Sequence, residues 1–390
     1  MRNVYLDNNA TTRVAPEVVE EMLPYFSDFY GNPSSMHYFG GQVEKKVVEA
    51  REKVAELINC DPTEIIFTSC GTESDSTAIR GTLGSYPDKR NMVMSRVEHP
   101  AVLNLGRHLS KNGYDLIELP VDRKGNLDIT EAEQSITDST AIVSIMYANN
   151  ETGVIFPIEA IGQVVKSRGA VFHSDAVQAV GKIPLDMSKS TIDLLSLSGH
   201  KLHAPKGIGA LYVRKGTKLT PFIIGGHQER GRRAGTENVP YIIGLGKAAE
   251  LARLHMEDEN TRVKALRNRL EAELIKRCPD VQVNGDQNHR LPNTTNLSFE
   301  YVEGEAILLL LSDQGIAASS GSACTSGSLE PSHVLRAMGV PFTYVHGSLR
   351  LSLSIYNTDE EIDYTIATLP AIISRLREIS PFGKSRSMGG

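Results

Sequence analysis

The chain has 390 residues, of which 40% are hydrophobic, and its 41 basic and 47 acidic residues give a formal net charge of −6. This length fits one large domain and one smaller domain, and the acidic balance offers no electrostatic basis for binding nucleic acid. The first residues contain no apolar leader and no apolar run could span a membrane, so we expect a cytoplasmic protein.

Short apolar runs alternate with helical periodicity between residues 60 and 215. The predicted strands are Ile65–Thr68, Asn91–Ser95, Asp115–Leu119, Ala141–Tyr147, Ala170–His173, Leu194–Leu197 and Gly209–Val213. The predicted helices lie near Glu73–Leu83, Ala101–Lys111 and Ile158–Ser167. Such alternation predicts crossover connections and a mostly parallel sheet, which is the pattern of an α/β domain.

The second half of the chain has a different organisation. A long helical stretch is predicted from Tyr241 to Lys276, and the mixed charges of Glu257–Arg277 indicate a solvated helix that links two units. The segments after it are Pro292–Phe299, a helix near Gly304–Leu311, a strand at Ser348–Ser354 and a closing helix at Thr358–Ile379. They predict a smaller α+β domain, and the Ser/Gly-rich tail from Pro381 is expected to fray.

The segment Ser69–Glu73 follows a predicted strand and opens a helix. Gly71 would let the backbone approach a ligand closely, and the free N–H groups of a helix start favour an anion such as phosphate. The alternative is an ordinary helix N-cap by Thr72. No P-loop motif is present, so a nucleotide site of that kind is not indicated.

Two reactive residues follow later predicted strands. Asp175 could pair with a protonated ring nitrogen, as a pyridoxal cofactor requires, or it could be a turn or N-cap residue. Lys201 would be partly desolvated in the sheet crevice and therefore nucleophilic, or it could be a surface lysine in a Gly/Pro turn. Ser198 and His200 flank Lys201 and could bond a phosphate. Because ligands bind at the carboxyl ends of parallel strands, the combination predicts a pyridoxal-phosphate site.

Nine segments resemble motifs of the class V, aminotransferase-fold cysteine desulfurases of the NifS/IscS family, and the NifS type most of all. They are Tyr5–Thr12, Gly31–Ser35, Thr68–Ser74, Glu98–Pro100, Ala148–Gly153, His173–Gln178, Ser198–Lys201, Arg232–Asn238 and Ser319–Cys324. The resemblance spans nearly the whole chain in the expected order. It implies a type I aminotransferase fold with a large domain at 15–257, a small domain made of 1–14 and 258–380, and a flexible tail at 381–390.

The resemblance also implies roles for individual residues. Lys201 would bind pyridoxal phosphate covalently, Asp175 would pair with the pyridine nitrogen, and His99 would stack on the ring and move protons. The residues implied to bond the ring hydroxyl or the phosphate are Asn150, Gln178, Gly71, Thr72, Ser198 and His200.

Further implied residues concern the substrate and a second subunit. Thr236 would reach the phosphate of a neighbouring subunit, which implies a homodimer. Arg350 would bind the carboxylate of L-cysteine, with Asn8 and Asn150 nearby. The physical alternatives are a helix-start role for His99 and a solvent-facing strand position for Arg350.

The four cysteines form no C-x-x-C pair, so neither a disulfide framework nor a zinc site is expected. Cys60 and Cys278 fit small buried hydrophobic positions, and Cys70 fits packing better than chemistry. Cys324 lies in a Gly/Ser-rich segment, where a thiol would be exposed and mobile. The alternative is a linker with an incidental cysteine.

The resemblance implies that Cys324 receives the substrate sulfur as a persulfide, that L-alanine is released, and that the sulfur passes to a NifU- or IscU-like iron–sulfur scaffold protein. Cys324 could then be a transient iron–sulfur ligand shared with that scaffold. The segments His200–Lys206 and Gly225–Arg233 look more NifS-like, which favours supply of nitrogenase clusters. The alternatives are a housekeeping IscS-type desulfurase, a selenocysteine lyase, another class V aminotransferase and a non-catalytic assembly protein on the same fold.

Overall fold

The computed structural model describes residues 3–320 and 331–381, so Cys324 and most of the tail lie outside the described residues. The strands are β1 (Val4–Tyr5), β2 (Ile65–Thr68), β3 (Asn91–Ser95), β4 (Asp115–Leu119), β5 (Thr140–Ser144), β6 (Val171–Asp175), β7 (Leu194–Ser198), β8 (Gly209–Val213), β9 (Val281–Val283), β10 (Thr294–Phe299), β11 (Ile316–Ala317) and β12 (Ser348–Ser352).

Helices surround and connect these strands. They are α1 (Pro16–Met22), α2 (Pro24–Ser27), α3 (Tyr38–Ile58), α4 (Gly71–Ser85), α5 (Pro100–Ser110), α6 (Ile129–Ser135), α7 (Ile158–Ser167), α8 (Val239–Leu254), α9 (Met256–Asp258), α10 (Lys264–Arg277), α11 (Gly304–Asp313), α12 (His333–Ala337), α13 (Phe342–Val345) and α14 (Asp359–Ile379). Within the described part of the chain, none of them is both long and apolar enough to cross a membrane.

A seven-stranded sheet in the order β2-β8-β7-β6-β5-β3-β4 forms the centre of the molecule. Five neighbouring strands pair in parallel, namely β7, β6, β5, β3 and β4. Strand β8 runs antiparallel to both of its neighbours, β2 and β7. Every residue of β5, β6, β7 and β8 is buried, as expected for strands covered on both faces. The predicted mostly parallel sheet is confirmed.

A second, smaller group of strands lies in the C-terminal part of the chain. Strands β12, β10 and β9 form an antiparallel sheet, and β1 pairs in parallel with β11. Val4 and Leu6 join a hydrophobic core with residues of α10, α11 and α14, separate from the core beneath the large sheet. The separate cores support the proposed division into two domains, with the N-terminal segment in the smaller one.

The predicted helical stretch over Tyr241–Lys276 is helical almost throughout, but the prediction that Glu257–Arg277 forms a solvated helix is wrong. The stretch is broken after α8, and a π-helical turn at Glu259–Val263 precedes α10. Helix α10 is a core element, because Arg267 and Glu271 are buried along with its leucines. Glu271 forms a two-pronged pair with Arg290, and Arg267 donates to the Thr294 carbonyl. Burial of Arg267 and Glu271 is tolerated because each charged group has a hydrogen-bond partner, so the charged sequence of α10 can lie in the core.

Candidate active site

A cavity of about 350 Å³ opens at the carboxyl edge of the central sheet. Strands β2, β3, β5, β6 and β7 all end at this edge, and the residues that follow them form its walls. Ten predicted site residues line it, namely Gly71, Thr72, His99, Asn150, Asp175, Gln178, Ser198, His200, Lys201 and Arg350. The order of the strands therefore brings together residues that are far apart in the chain.

One end of the cavity is formed by the start of α4, a 15-residue helix. Cys70 is the extended residue before the helix, so Thr72 belongs to its first turn and the alternative of an N-cap by Thr72 is wrong. A Cβ atom at position 71 would lie 3.0 Å from Val177 Cγ2 and 3.5 Å from Ser198 Cβ, so glycine keeps this wall open. The helix start leaves backbone N–H groups facing an anion site.

Lys201 ends a short 3₁₀ turn that follows β7. Its Nζ donates to the carbonyl oxygens of Asn9 and Ala10, the latter at 2.7 Å. Gln178 Nε2 also donates to the Asn9 carbonyl at 3.0 Å. The N-terminal segment therefore crosses the sheet edge and holds the amine inside the cavity.

Two carboxyl groups lie together at the floor of the cavity. Asp175 is the last residue of β6; burial raises its pKa to about 6, against the lowering effects of the Val177 N–H and of Lys201. Burial and the charge of Asp175 raise the pKa of Asp75 well above its usual range. Because desolvation and repulsion disfavour two neighbouring anions, Asp175 can carry the charge while Asp75 stays neutral.

His99 is the residue that begins α5, and its Nδ1 accepts from the Ala101 N–H at 3.2 Å. Burial, followed by the charges of Lys201 and His333, lowers the pKa of His99 to about 4. The ring is therefore neutral at physiological pH. With Nδ1 occupied as an acceptor, the proton resides on Nε2, where it is available as a donor.

Arg350 extends from β12 with its side chain only 3% exposed. Its Nη2 donates to Asp7 Oδ1 at 2.8 Å and its Nη1 donates to the Asn150 carbonyl at 2.9 Å. Asp7 is thus the counter-ion that orients the buried guanidinium of Arg350. This guanidinium can bind a carboxylate in a bidentate manner.

Two predicted site residues are not brought into this cavity. Asn8 uses its side-chain amide to donate to the Ser352 carbonyl at 2.9 Å, and its neighbour Asn9 lines the cavity instead. Thr236 is exposed on the loop before α8 and is not part of the lining. Their predicted roles remain predictions.

Sequence reasoning missed several lining residues, including Asn9, Ala10, Asp75 and Met146, and it gave Cys70 only a packing role. One signal was available for Asp75, because it lies three residues after Thr72 and so shares a face of α4. No local signal could have identified Asn9 and Ala10, since their neighbours come from distant elements.

The segment that carries Cys324 is attached beside the cavity at both ends. On one side, the Arg350 N–H donates to the Ser319 carbonyl at 2.6 Å. On the other side, Ser332 begins α12 and its hydroxyl donates to the buried carboxylate of Glu151. Cys324 itself lies outside the described residues, but both attachment points adjoin residues of the lining.

The cavity fits pyridoxal phosphate by the chemistry of its donors and acceptors. Among the described residues, Ser198 Oγ and Gln178 Oε1 are buried without a hydrogen-bond partner, so they are available to a polar ligand. The start of α4 suits a phosphate, Asp175 suits a protonated ring nitrogen, and Lys201 supplies an amine. These residues can hold the cofactor and an amino-acid substrate together.

Comparison with known proteins gives a consistent result. Residues 4–365 match the family model described as aminotransferase class-V. A cysteine desulfurase of Trichormus azollae is 62% identical over 98% of this chain and 96% of its own length, and the cysteine desulfurase NifS of Azotobacter vinelandii is 57% identical over 98% and 95%. A solved NifS-like protein superposes with a TM-score of 0.91 at 39% identity, covering 96% of this chain and all of its own.

Proposed function

Since the chain belongs to the aminotransferase class-V family and, within it, to the cysteine desulfurases, we propose that it transfers the sulfur of L-cysteine to Cys324. It is a pyridoxal-phosphate-dependent enzyme that forms L-alanine and supplies sulfur for iron–sulfur cluster assembly. The predictions of the family, the fold and the cofactor are confirmed. The roles of individual residues are part of the proposal.

The described side chains divide the chemistry among them. Bound pyridoxal phosphate supplies an electron sink for the pair left at Cα of the substrate. Lys201 would hold the cofactor covalently, and its amine, once free, would remove the Cα proton of the substrate. Asp175 keeps the proton on the ring nitrogen, and neutral His99 donates or accepts a proton from Nε2. Arg350 binds the substrate carboxylate.

The thiolate of Cys324 then attacks the substrate sulfur. A sulfur–sulfur bond forms as the bond between Cβ and sulfur breaks, and the electrons of that bond are taken up with a proton at Cβ. One L-cysteine and one thiol therefore become L-alanine and a persulfide, with no external oxidant. The observation that carries this assignment is the attachment of the Cys324 segment beside a cavity built for an amino acid.

The reach of the chain supports that assignment. Cys324 is five residues from Ser319 and eight from Ser332 in the sequence. Five extended residues span up to about 17 Å. Ser319 pairs with the backbone of Arg350, and Ser332 bonds the residue next to Asn150. The thiol can therefore reach a substrate held by Arg350 without rearrangement of the described residues.

The test is the Cys324→Ala variant. It should keep the colour of the bound cofactor but lose alanine and sulfide formation from L-cysteine. Cys70→Ala is a matched control, because Cys70 also lies in the cavity and the proposal gives it no sulfur to carry. Full activity in Cys324→Ala, or loss of activity in Cys70→Ala alone, would contradict the proposal.

The proposed homodimer is supported by exposed apolar side chains. Tyr30, Met36, Phe39 and Ile224 are exposed apolar side chains on the same subunit, and such residues are typical of protein interfaces. The segment before α8 that carries Thr236 is tied to other elements by two ion pairs, Glu229 with Arg51 and Arg233 with Glu73. Thr236→Ala should weaken cofactor retention in a protein that remains dimeric by light scattering; unchanged retention would contradict a role for Thr236.

The proposed pathway is supply of sulfur to a NifU- or IscU-like scaffold protein in the cytoplasm, with nitrogenase clusters as the destination. The 57% identity to a NifS protein supports it. Transfer of labelled sulfur from L-cysteine to the purified scaffold, through Cys324, is the direct test. Preference for a housekeeping scaffold would favour the IscS-type alternative, and preference for selenocysteine would favour a selenocysteine lyase.

A further inference from the structure

A second, much smaller cavity lies on the other side of Lys201. Its walls come from the N-terminal segment, from the connection between β6 and β7, from the end of α8 with the π-helical turn, and from the segment after β12. Asn8, which does not reach the first cavity, lines this one. The second cavity therefore lies between the large and the small hydrophobic cores.

Two buried charged groups of opposite sign line this second cavity. Lys182 is 4% exposed and Glu259 is 6% exposed. Neither Lys182 Nζ nor Glu259 Oε2 has a hydrogen-bond partner among the described residues, and the two groups form no ion pair with each other. A buried charge without a partner is costly, so this pair would be expected to have a ligand between its members.

The two segments that carry these charges are hydrogen-bonded to each other. Asn260, the residue after Glu259 in the π-helical turn, donates its side-chain amide to the Lys182 carbonyl at 2.9 Å. The π-helical turn is thereby joined to the loop of Lys182, and π-helical turns are frequent at functional sites. The two charged side chains therefore lie on segments that are joined to each other, without being within ion-pair distance.

We propose that this cavity is a second binding site, for a small zwitterionic α-amino acid whose carboxylate pairs with Lys182 and whose ammonium group pairs with Glu259. A zwitterion offers an anion to Lys182 and a cation to Glu259 in one molecule. The remaining walls contain Leu251, Ala252 and Leu353, so they suit a short apolar side chain.

The ionisation of the two groups is consistent with missing partners. Burial raises the pKa of Glu259 to about 7 even though Lys182 is close enough to oppose the shift. Burial likewise lowers the pKa of Lys182. An amino acid between them would contribute a cation beside the carboxylate and an anion beside the amine, and would stabilise both charged forms.

The binding experiment uses holoenzyme reduced with borohydride, which fixes the cofactor on Lys201 so that an added amino acid can no longer exchange onto it. L-alanine is then titrated by calorimetry, and acetate and methylammonium serve as probes that carry one charge each. We expect saturable binding of L-alanine and much weaker binding of either single-charge probe. In Glu259→Gln, which keeps the side-chain shape, affinity should fall roughly tenfold or more, because a hydrogen bond to a charged group is lost.

Matched controls separate this site from general surface effects. Glu257 is exposed two residues before Glu259 and Lys264 is exposed at the start of α10, so Glu257→Gln and Lys264→Met remove the same charges outside the cavity. They should bind L-alanine like the wild type, whereas Lys182→Met should not. Absence of saturable binding, or equal affinity in wild type, Glu259→Gln and Lys182→Met, would overturn the proposal. Neither result would bear on sulfur transfer to Cys324.

Discussion

Replacement of Arg350 by lysine tests whether the guanidinium fork, rather than positive charge alone, recognises the substrate. Arg350 donates to Asp7 and to the Asn150 carbonyl with separate nitrogens. A lysine ammonium is a point charge. It cannot bond both Asp7 and the Asn150 carbonyl while also presenting two parallel donors to a substrate carboxylate. The Arg350→Lys variant should therefore keep the cofactor but bind L-cysteine weakly.

The size of the effect follows from the bonds lost. A hydrogen bond to a charged group contributes about 1.5–3 kcal/mol, so loss of one arm of the fork should lower kcat/KM by about 10- to 150-fold. The loss should lie mainly in KM, because the carboxylate is bound in both the ground and the transition state. Steady-state alanine formation at varied L-cysteine concentration measures it.

Arg107→Lys is the control for this substitution. Arg107 forms a similar bidentate pair with Glu118, but it is 51% exposed and does not line the cavity. Its kinetics should match the wild type, and thermal melting should show that both variants are folded. An unchanged KM in Arg350→Lys would refute the reasoning, because it would mean that the fork does not contact substrate.

Two further substitutions test buried charges. Burial raises the pKa of Glu98 from its ordinary value of 4.5 to about 8, so between these values the unfolded chain releases a proton that the folded chain keeps. The free energy of unfolding of the wild type should therefore fall by about 1.4 kcal/mol per pH unit from this group as pH rises through that window. Urea denaturation should show the stability of Glu98→Gln rising relative to that of the wild type over the same window. A difference between the two proteins that does not change with pH would contradict the raised pKa. Glu229→Gln removes the buried ion pair with Arg51, in which Nη1 of Arg51 lies 2.7 Å from Oε2 of Glu229. Because this pair holds the loop before α8, its loss should lower the free energy of unfolding by about 3–5 kcal/mol. Glu56→Gln, whose pair with Arg253 is exposed, should change it by less than about 1 kcal/mol, and equal effects of the two would contradict the role of burial.

The local sequence was sufficient for most elements of the large domain. Ile65–Thr68 and Gly209–Val213 were predicted with the bounds that the structure has, because apolar runs bounded by turn residues are a local signal. Residue patterns and the resemblance of motifs along the chain together identified ten of the residues that line the first cavity. It also named Asn8, whereas the fold turns the neighbouring Asn9 toward that cavity.

Contacts between distant segments were decided only by the tertiary structure. Lys201 bonds the carbonyl of Ala10, 191 residues away, and no periodicity in either segment encodes that contact. The same holds for the charges of α10, which look solvated in sequence but are buried against Arg290 and Thr294. The sequence by itself predicted the candidate residues for sulfur transfer and determined which segments form most of the strands. Tertiary packing decided which charges are desolvated and which find partners, because burial and pairing depend on neighbours brought together only when the sheet and its helices assemble.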